Sequence, residues 1–464
     1  MPSSPSSAAD VRPDTRPAPP ASGAGAPQPS KRIAAREHFR KNRRQPELDA
    51  LRGLLLFWMT LTHLPTPASA WANQPFGFVS AAEGFVFLSA LLTGKIYASQ
   101  AAAGFSTLRA GLWPRALRVY AYHLLLIAFA FTIGSLLAPT LHRPMLHNLL
   151  SFYFAHPVVA AVSSIFLIYC PPLLDILPMY VLFLLITPLL FVAAKRFSWT
   201  LVLSLSALIW LAAQFGFRIF FYATLSRLIG HHIPVGEMGA FDLFAWQFLW
   251  CAGIWLGTII ARPSANSASA PASVPASAPV SPSAPVSPPA PASAPAPASA
   301  PRSFPTAVTL LAAVIVLACA CLRRSFPTAI FWTGSLAILQ DKWRFAPLRI
   351  LDFAAIGIVL WRFRPAIKRV LNLPPLPAVG MSSLQVFSAH VVFVFCALAL
   401  ITQGSEELLH GWLAAAVIAV TLTGMLLTGI LASAHKLRTP KPPPPQLSPD
   451  RGEKPRRPPA PSPI

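Results

Sequence analysis

The sequence predicts an all-α fold: a polytopic membrane helical bundle of about ten transmembrane helices, with both termini in the cytoplasm. Three observations lead there. The 464 residues are 54% hydrophobic and only 11% charged, with a mean hydropathy of +0.56. A soluble domain is about 25% charged, and one soluble core of this length could not hide so much apolar surface. Apolar runs long enough to span hydrocarbon, roughly 17–25 residues each, recur along the chain. Of the 37 Lys and Arg, 29 fall on one side of a ten-span topology that starts inside. The other eight are Arg143, Arg218, Arg227, Arg323, Arg324, Lys342, Arg344 and Arg349. That asymmetry obeys the positive-inside rule. It also accounts for a net charge of +22 without nucleic acid, and basic tails of this kind can touch anionic lipid.

Taken in order, residues 1–46 are Pro/Ala/Ser-rich and then basic, a disordered cytoplasmic tail. Residues 47–262 hold the first six helices and the main site, with helices near 48–64, 76–94, 116–138, 173–194, 199–220 and 241–261. Residues 263–305 repeat Ala, Pro and Ser and read as a disordered cytoplasmic linker. Residues 306–435 hold helices near 306–322, 347–363, 380–402 and 412–434, and 436–464 form a Pro-rich basic tail. The proline-bracketed runs 157–169 and 325–340 are too short for clear spans and read as re-entrant or interfacial pieces. Basic residues at 31–44, the apolar run 53–61 and Ala68-Ser69-Ala70 imitate a cleavable leader. Asp49, Arg52 and His63 flank that run, so it is expected to stay uncleaved. The five cysteines lack metal spacing and read as small buried hydrophobes.

Ionisable groups inside a membrane helix are costly and therefore candidates for function. The first helix carries Asp49, Arg52 and His63. At 100° per residue, Arg52 and His63 fall about 20° apart and Asp49 about 60° from Arg52, so all three share a side. Eleven rises separate Arg52 from His63 by roughly 16 Å, enough to hold two ends of one elongated ligand. The same spacing also suits an interfacial Asp49–Arg52 pair with His63 capping the outer end. Glu83 on the second helix is expected to meet His63 at similar depth, where a carboxylate would fix the imidazole tautomer and raise its basicity. Alternatively, Glu83 is a lone protonated acid bonded to nearby backbone. His390 lies near the middle of the ninth helix, after Ser382-Ser383-Leu384-Gln385, and Asp352 in the eighth follows Arg349. Asp175 and Asp242 sit at outer helix ends and read as interface anchors. Arg109, Arg115 and Arg118 could draw phosphate, or simply serve topology. No metal or nucleotide motif stands out.

The stretch QPELDALRGLLLFWMTLTHLP, followed by QPFGFVSAAEGFVFLSALLTGKIY at 45–97, resembles the N-terminal signature of the OpgC family of bacterial inner-membrane proteins. That family is associated with succinyl substitution of osmoregulated periplasmic glucans. The stretch is also similar to the acyltransferase-3 superfamily, with its LDxLRG start and Arg-x10-His pattern, met here by Arg52 and His63. GFVFLSA parallels the superfamily's FFxLSG segment, although Ala90 replaces the usual glycine. GMSSLQVFSAHVV at 380–392 resembles a second family segment and lends weight to His390, although Met381 stands where another polar or basic residue is common.

The resemblance implies a multi-pass protein of the bacterial inner membrane and an O-acyltransferase. Its donor would be an acyl-CoA such as succinyl-CoA, with no resident cofactor, and its acceptor a hydroxyl of a periplasmic glucan. Glucan-biosynthesis proteins would be its natural partners. His63 would act as base with Glu83 orienting it, and Arg52 would bind anionic groups of the donor beside Asp49. His390 is a further catalytic candidate; Arg109, Arg115, Arg118 and Asp352 would bind substrate. The main alternative is a transporter of an anion or glycan lined by the same residues. No inverted repeat or pair of broken helices supports it. A scaffold that docks partners through its Pro-rich tail is the third.

Overall fold

The computed structural model describes residues 46–101, 104–140, 142–229, 233–261, 304–325, 338–402, 404 and 408–438. The stretches expected to be disordered lie outside these residues except at their edges. Every regular element among the described residues is helical. A helix occupies each of the ten expected runs: α1 Pro46–His63, α2 Ala81–Tyr97, α3 Phe105–Phe129, α4 Ile176–Arg196, α5 Trp199–Gln214, α6 Leu243–Ala261, α7 Thr306–Ser325, α8 Pro347–Arg362, α9 Ser383–Leu398 and α10 Gly411–Arg438.

Five of them are long and apolar enough to cross a membrane. These are α3 with its continuation to Ala138, then α4, α6, α7 and α10. A sixth would be α5 together with the helix after it, if that bent pair forms one span. Four helices fall short for a physical reason. α1 has 18 residues but includes Glu47, Asp49 and Arg52, while α2, α8 and α9 have 17, 16 and 16 residues. At 1.5 Å per residue these rise about 24–27 Å against roughly 30 Å of hydrocarbon. They are also the helices that carry Arg52, His63, Glu83, Asp352 and His390. The polar residues thus sit on short rods packed among longer apolar ones.

The periphery is apolar and uncovered. Leu310, Leu311, Val314 and Leu317 of α7 are each more than 60% exposed, and Leu201, Leu205 and Leu208 of α5 each more than half. An apolar belt of this extent needs lipid over it, so the protein is a membrane protein. Cys321 and Cys396 are exposed, unlike the buried Cys170, Cys251 and Cys319, which corrects the expectation for those two.

Close helix approach depends on small residues, as is usual where lipid weakens the hydrophobic drive between helices. Ala90 and Gly94 of α2 face Gly253 and Gly257 of α6 so tightly that a methyl on Gly94 would lie 2.2 Å from the Ile254 carbonyl oxygen. α1 packs on the short helix Leu376–Met381, where a methyl on Gly380 would lie 1.6 Å from the Asp49 carbonyl oxygen. That contact sets the height of Asp49 and Arg52 against the start of α9.

Four boundaries differ from the sequence expectation. α2 begins at Ala81 rather than 76, because Ser80 and Glu83 form a capping box and Gly77, at φ +117°, turns the preceding loop. α3 begins at Phe105 rather than 116, so Arg109, Arg115 and Arg118 lie on a helix. The expected 199–220 helix bends by 83° after Gln214, where Gly216 takes φ +84°. The expected 380–402 helix breaks at Ser382 into Leu376–Met381 and α9. The 157–169 run forms a nine-residue helix, Pro157–Ile165, too short to span. Most of the 325–340 run lies outside the described residues.

Candidate active site

α1 directs its polar face at α9. The Arg52 guanidinium donates to the Ser383 hydroxyl, lies 3.9 Å from the Asp49 carboxylate and sits 5.9 Å over the Phe85 ring. Its side chain is only 14% exposed. Eleven residues further on, His63 Nδ1 lies 3.3 Å from His390 Nε2, with ring centroids 5.3 Å apart. Ser383 and His390 both belong to α9. Both contacts advance along both chains, so α1 and α9 run parallel at this seam. Seven rises on α9 match eleven on α1 because the long arginine side chain covers the difference, about 6 Å. Arg52 and His63 therefore share one face and one partner helix, with a polar contact to α9 at each end of that interval.

The pair expected between Glu83 and His63 is not formed. With α2 starting at Ala81, Glu83 sits in its first turn and faces α8. One carboxylate oxygen accepts from Arg349 at 2.8 Å, and the other from the Ser80 amide at 2.9 Å and the Ser80 hydroxyl. Arg349 also donates to the carbonyls of Phe78 and, at 2.9 Å, Gln340. One turn along α8, the fully buried Asp352 accepts from the amides of Phe78, at 2.7 Å, and Val79, at 3.3 Å. Glu83, Arg349 and Asp352 thus clamp the loop between α1 and α2. The carboxylate that notionally oriented His63 is replaced by an imidazole.

The three basic residues of α3 separate. Arg115 turns inward, donating to Thr93 of α2 at 3.1 Å and to the Tyr180 hydroxyl of α4 at 2.5 Å. Arg115 and Tyr180 both lie within electrostatic reach of Arg52. Arg109 is exposed and lies over the Trp113 ring, and Arg118 is exposed too, as topology alone would place them. At the α4 and α6 starts, Asp175 accepts from the Ala240 amide at 3.0 Å and Asp242 from the Phe244 amide at 2.9 Å. Burial pushes the Asp175 carboxyl up to about 6. It lines a cavity of about 150 Å³ together with Asn148, Ser151, Cys170 and Glu237.

Sequence reasoning missed Ser383, Tyr180 and Arg349 as site members. Arg349 had a signal, since it lies three residues before Asp352 and shares its helix face. Ser383 lay in the family-like segment 380–392, but nothing local marks it or Tyr180 as a hydroxyl that faces a distant arginine. Among the described residues, Arg52 Nε and His390 Nδ1 are buried with no hydrogen-bond partner. Buried polar atoms rarely stay unmatched, so each end of the seam has capacity for a further group.

A family model described as OpgC protein matches residues 44–280 and 290–436. No curated protein and no solved structure matches the chain. The match takes in α1, α2, α8 and α9, the helices that build the seam and its clamp, and the chain belongs to the OpgC family.

Proposed function

We propose that this protein is an O-acyltransferase of the bacterial inner membrane. It would move an acyl group, succinyl as the family resemblance implies, from an acyl-CoA to a hydroxyl of a periplasmic glucan. The observation that carries this reading is the seam: one helix presents a guanidinium and, about 16 Å further on, an imidazole, and both meet α9. In the proposed topology of ten spans with both termini in the cytoplasm, α1 and α9 both run outward, which agrees with their parallel packing. The Arg52 end then lies toward the cytoplasm and the His63 end toward the periplasm.

Arg52, with Arg115 nearby, attracts the phosphates of the donor at the inner end. Asp49 and Ser383 hold the Arg52 guanidinium in place, and a guanidinium suits phosphate geometry. The pantetheine arm extends along the seam and brings the thioester to His63. There the acceptor hydroxyl oxygen attacks the thioester carbonyl. A C–O bond forms, the C–S bond breaks, and the hydroxyl proton passes to His63 and then to the departing thiolate. For this, His63 must donate from Nδ1 to His390 Nε2 and keep its Nε2 lone pair for the hydroxyl. His390 accepts that hydrogen bond before and after His63 takes the proton, so it fixes the tautomer and stabilises the imidazolium.

The test is His63→Ala in a deletion strain, read by mass spectrometry of periplasmic glucan. The variant inserts normally and the glucan is made but lacks its anionic acyl groups. Unchanged substitution overturns the role of His63, and absence of glucan from the periplasm points to transport instead.

A further inference from the structure

Lys342 is a cation near this site that, among the described residues, forms no ion pair with a carboxylate. It lies in the segment leading into α8, and that segment is held by its carbonyls. The Trp343 carbonyl accepts from the Asp242 amide at 2.9 Å and the Trp246 indole at 3.0 Å. The Phe345 carbonyl accepts from the Trp210 indole at 2.9 Å, and the Arg344 carbonyl from Gln214 at 2.9 Å. The backbone therefore fixes where Lys342 stands. Its ammonium lies 4.9 Å from the Trp343 ring centroid, and the residue is partly buried.

Arg349 pairs with Glu83 at 2.8 Å and Arg344 with Asp341 at 3.5 Å, while Arg323 donates to the neutral Gln74 amide at 2.9 Å. Among the described residues, no carboxylate forms an ion pair with Lys342. Glu83 and Asp175 are the carboxylates among the described residues within its electrostatic reach. Arg349 and Ser80 already occupy Glu83, and the Ala240 amide bonds Asp175. His63 also lies within reach of the Lys342 charge. A partly desolvated ammonium with no ion pair among the described residues is costly, so an anionic group entering here would be drawn to it. Burial also holds Lys342 below the usual lysine range, a penalty that a bound anion would relieve.

We propose that Lys342 holds the free carboxylate of a dicarboxylic acyl chain while its carbonyl lies at His63, and so selects acid-terminated over neutral acyl groups. The proposal depends on the acyl-transfer reading above. Arg349 cannot serve, because Glu83 and two backbone carbonyls occupy it. A neutral chain of the same length would displace water from Lys342 and return no counter-charge.

The test uses the full chain in lipid nanodiscs with unsubstituted glucan as acceptor. Succinyl-CoA and butyryl-CoA, which have equal carbon counts, are the donors. Lys342→Met keeps an unbranched apolar side chain and removes the charge. Its preference for succinyl-CoA, as a ratio of kcat/KM values, should fall about tenfold or more, chiefly through KM. Lys342→Arg should retain most of the preference. The ratio is taken within one preparation, so loss of folded protein cancels from it. A ratio equal to wild type in Lys342→Met overturns the proposal, as does equal and complete loss with both donors. If the wild-type protein transfers neither acyl group, the acyl-transfer reading itself fails. If it transfers succinyl and the Met variant keeps the ratio, only the assignment of Lys342 falls.

Discussion

Glu83→Ala should damage the fold more than the chemistry. Glu83 is fully buried and Arg349 is 4% exposed, with 2.8 Å between them. Removing the carboxylate leaves a buried guanidinium without counter-charge, a loss of about 3–5 kcal/mol. The acid also closes the capping box of α2, and losing a cap adds about 1 kcal/mol. A total near 5 kcal/mol should lower the melting temperature by roughly 5 °C or more in a chain of this length. The twelve tryptophans make intrinsic fluorescence in detergent a suitable probe. Glu83→Leu combined with Arg349→Leu should recover part of the loss, because it removes both charges together, and a double-mutant cycle measures their coupling. A Glu83→Ala protein that melts with wild type but has lost acyl transfer would refute this assignment and return Glu83 to the reacting centre.

Two further outcomes follow from the same geometry. Ser383→Ala removes the hydroxyl that accepts from Arg52, so KM for the acyl-CoA should rise about fivefold to tenfold with kcat little changed, measured by steady-state transfer. Burial raises the Asp175 carboxyl to about 6 from the ordinary aspartate value of 3.8, so the folded protein binds this proton more tightly than the unfolded chain does. Its contribution to stability is fully present below pH 4 and is lost as pH rises through about 6. Melting curves from pH 4 to pH 7 should show that decline flattened in Asp175→Asn relative to wild type.

Much of this organisation was legible in the linear chain because its signals are local. Apolar run length located a helix at each expected place. The 100° step per residue put Arg52 and His63 on one side of α1, and both side chains meet α9. The LDALRG and SLQVFSAH segments carried the family resemblance. Register between helices is a different matter. Placing Glu83 beside His63 assumed that the second helix began at 76, five residues early. The capping box at Ser80 moved its start and brought Glu83 against Arg349 instead. The bend at Gly216 was hidden because a glycine in an apolar run reads as a continuing helix until its φ is known.

Composition, periodicity and motif spacing were enough for an all-helical membrane protein with a polar stripe on its first helix, since each depends on residues within a few turns of one another. Which group answers each polar atom was decided only when the helices packed. Arg52 with Ser383, His63 with His390 and Glu83 with Arg349 are separated by 331, 327 and 266 residues. Contacts across such distances depend on close approaches such as Gly380 to Asp49 and Gly94 to Ile254, and steric fit between whole helices has no signature in a local pattern.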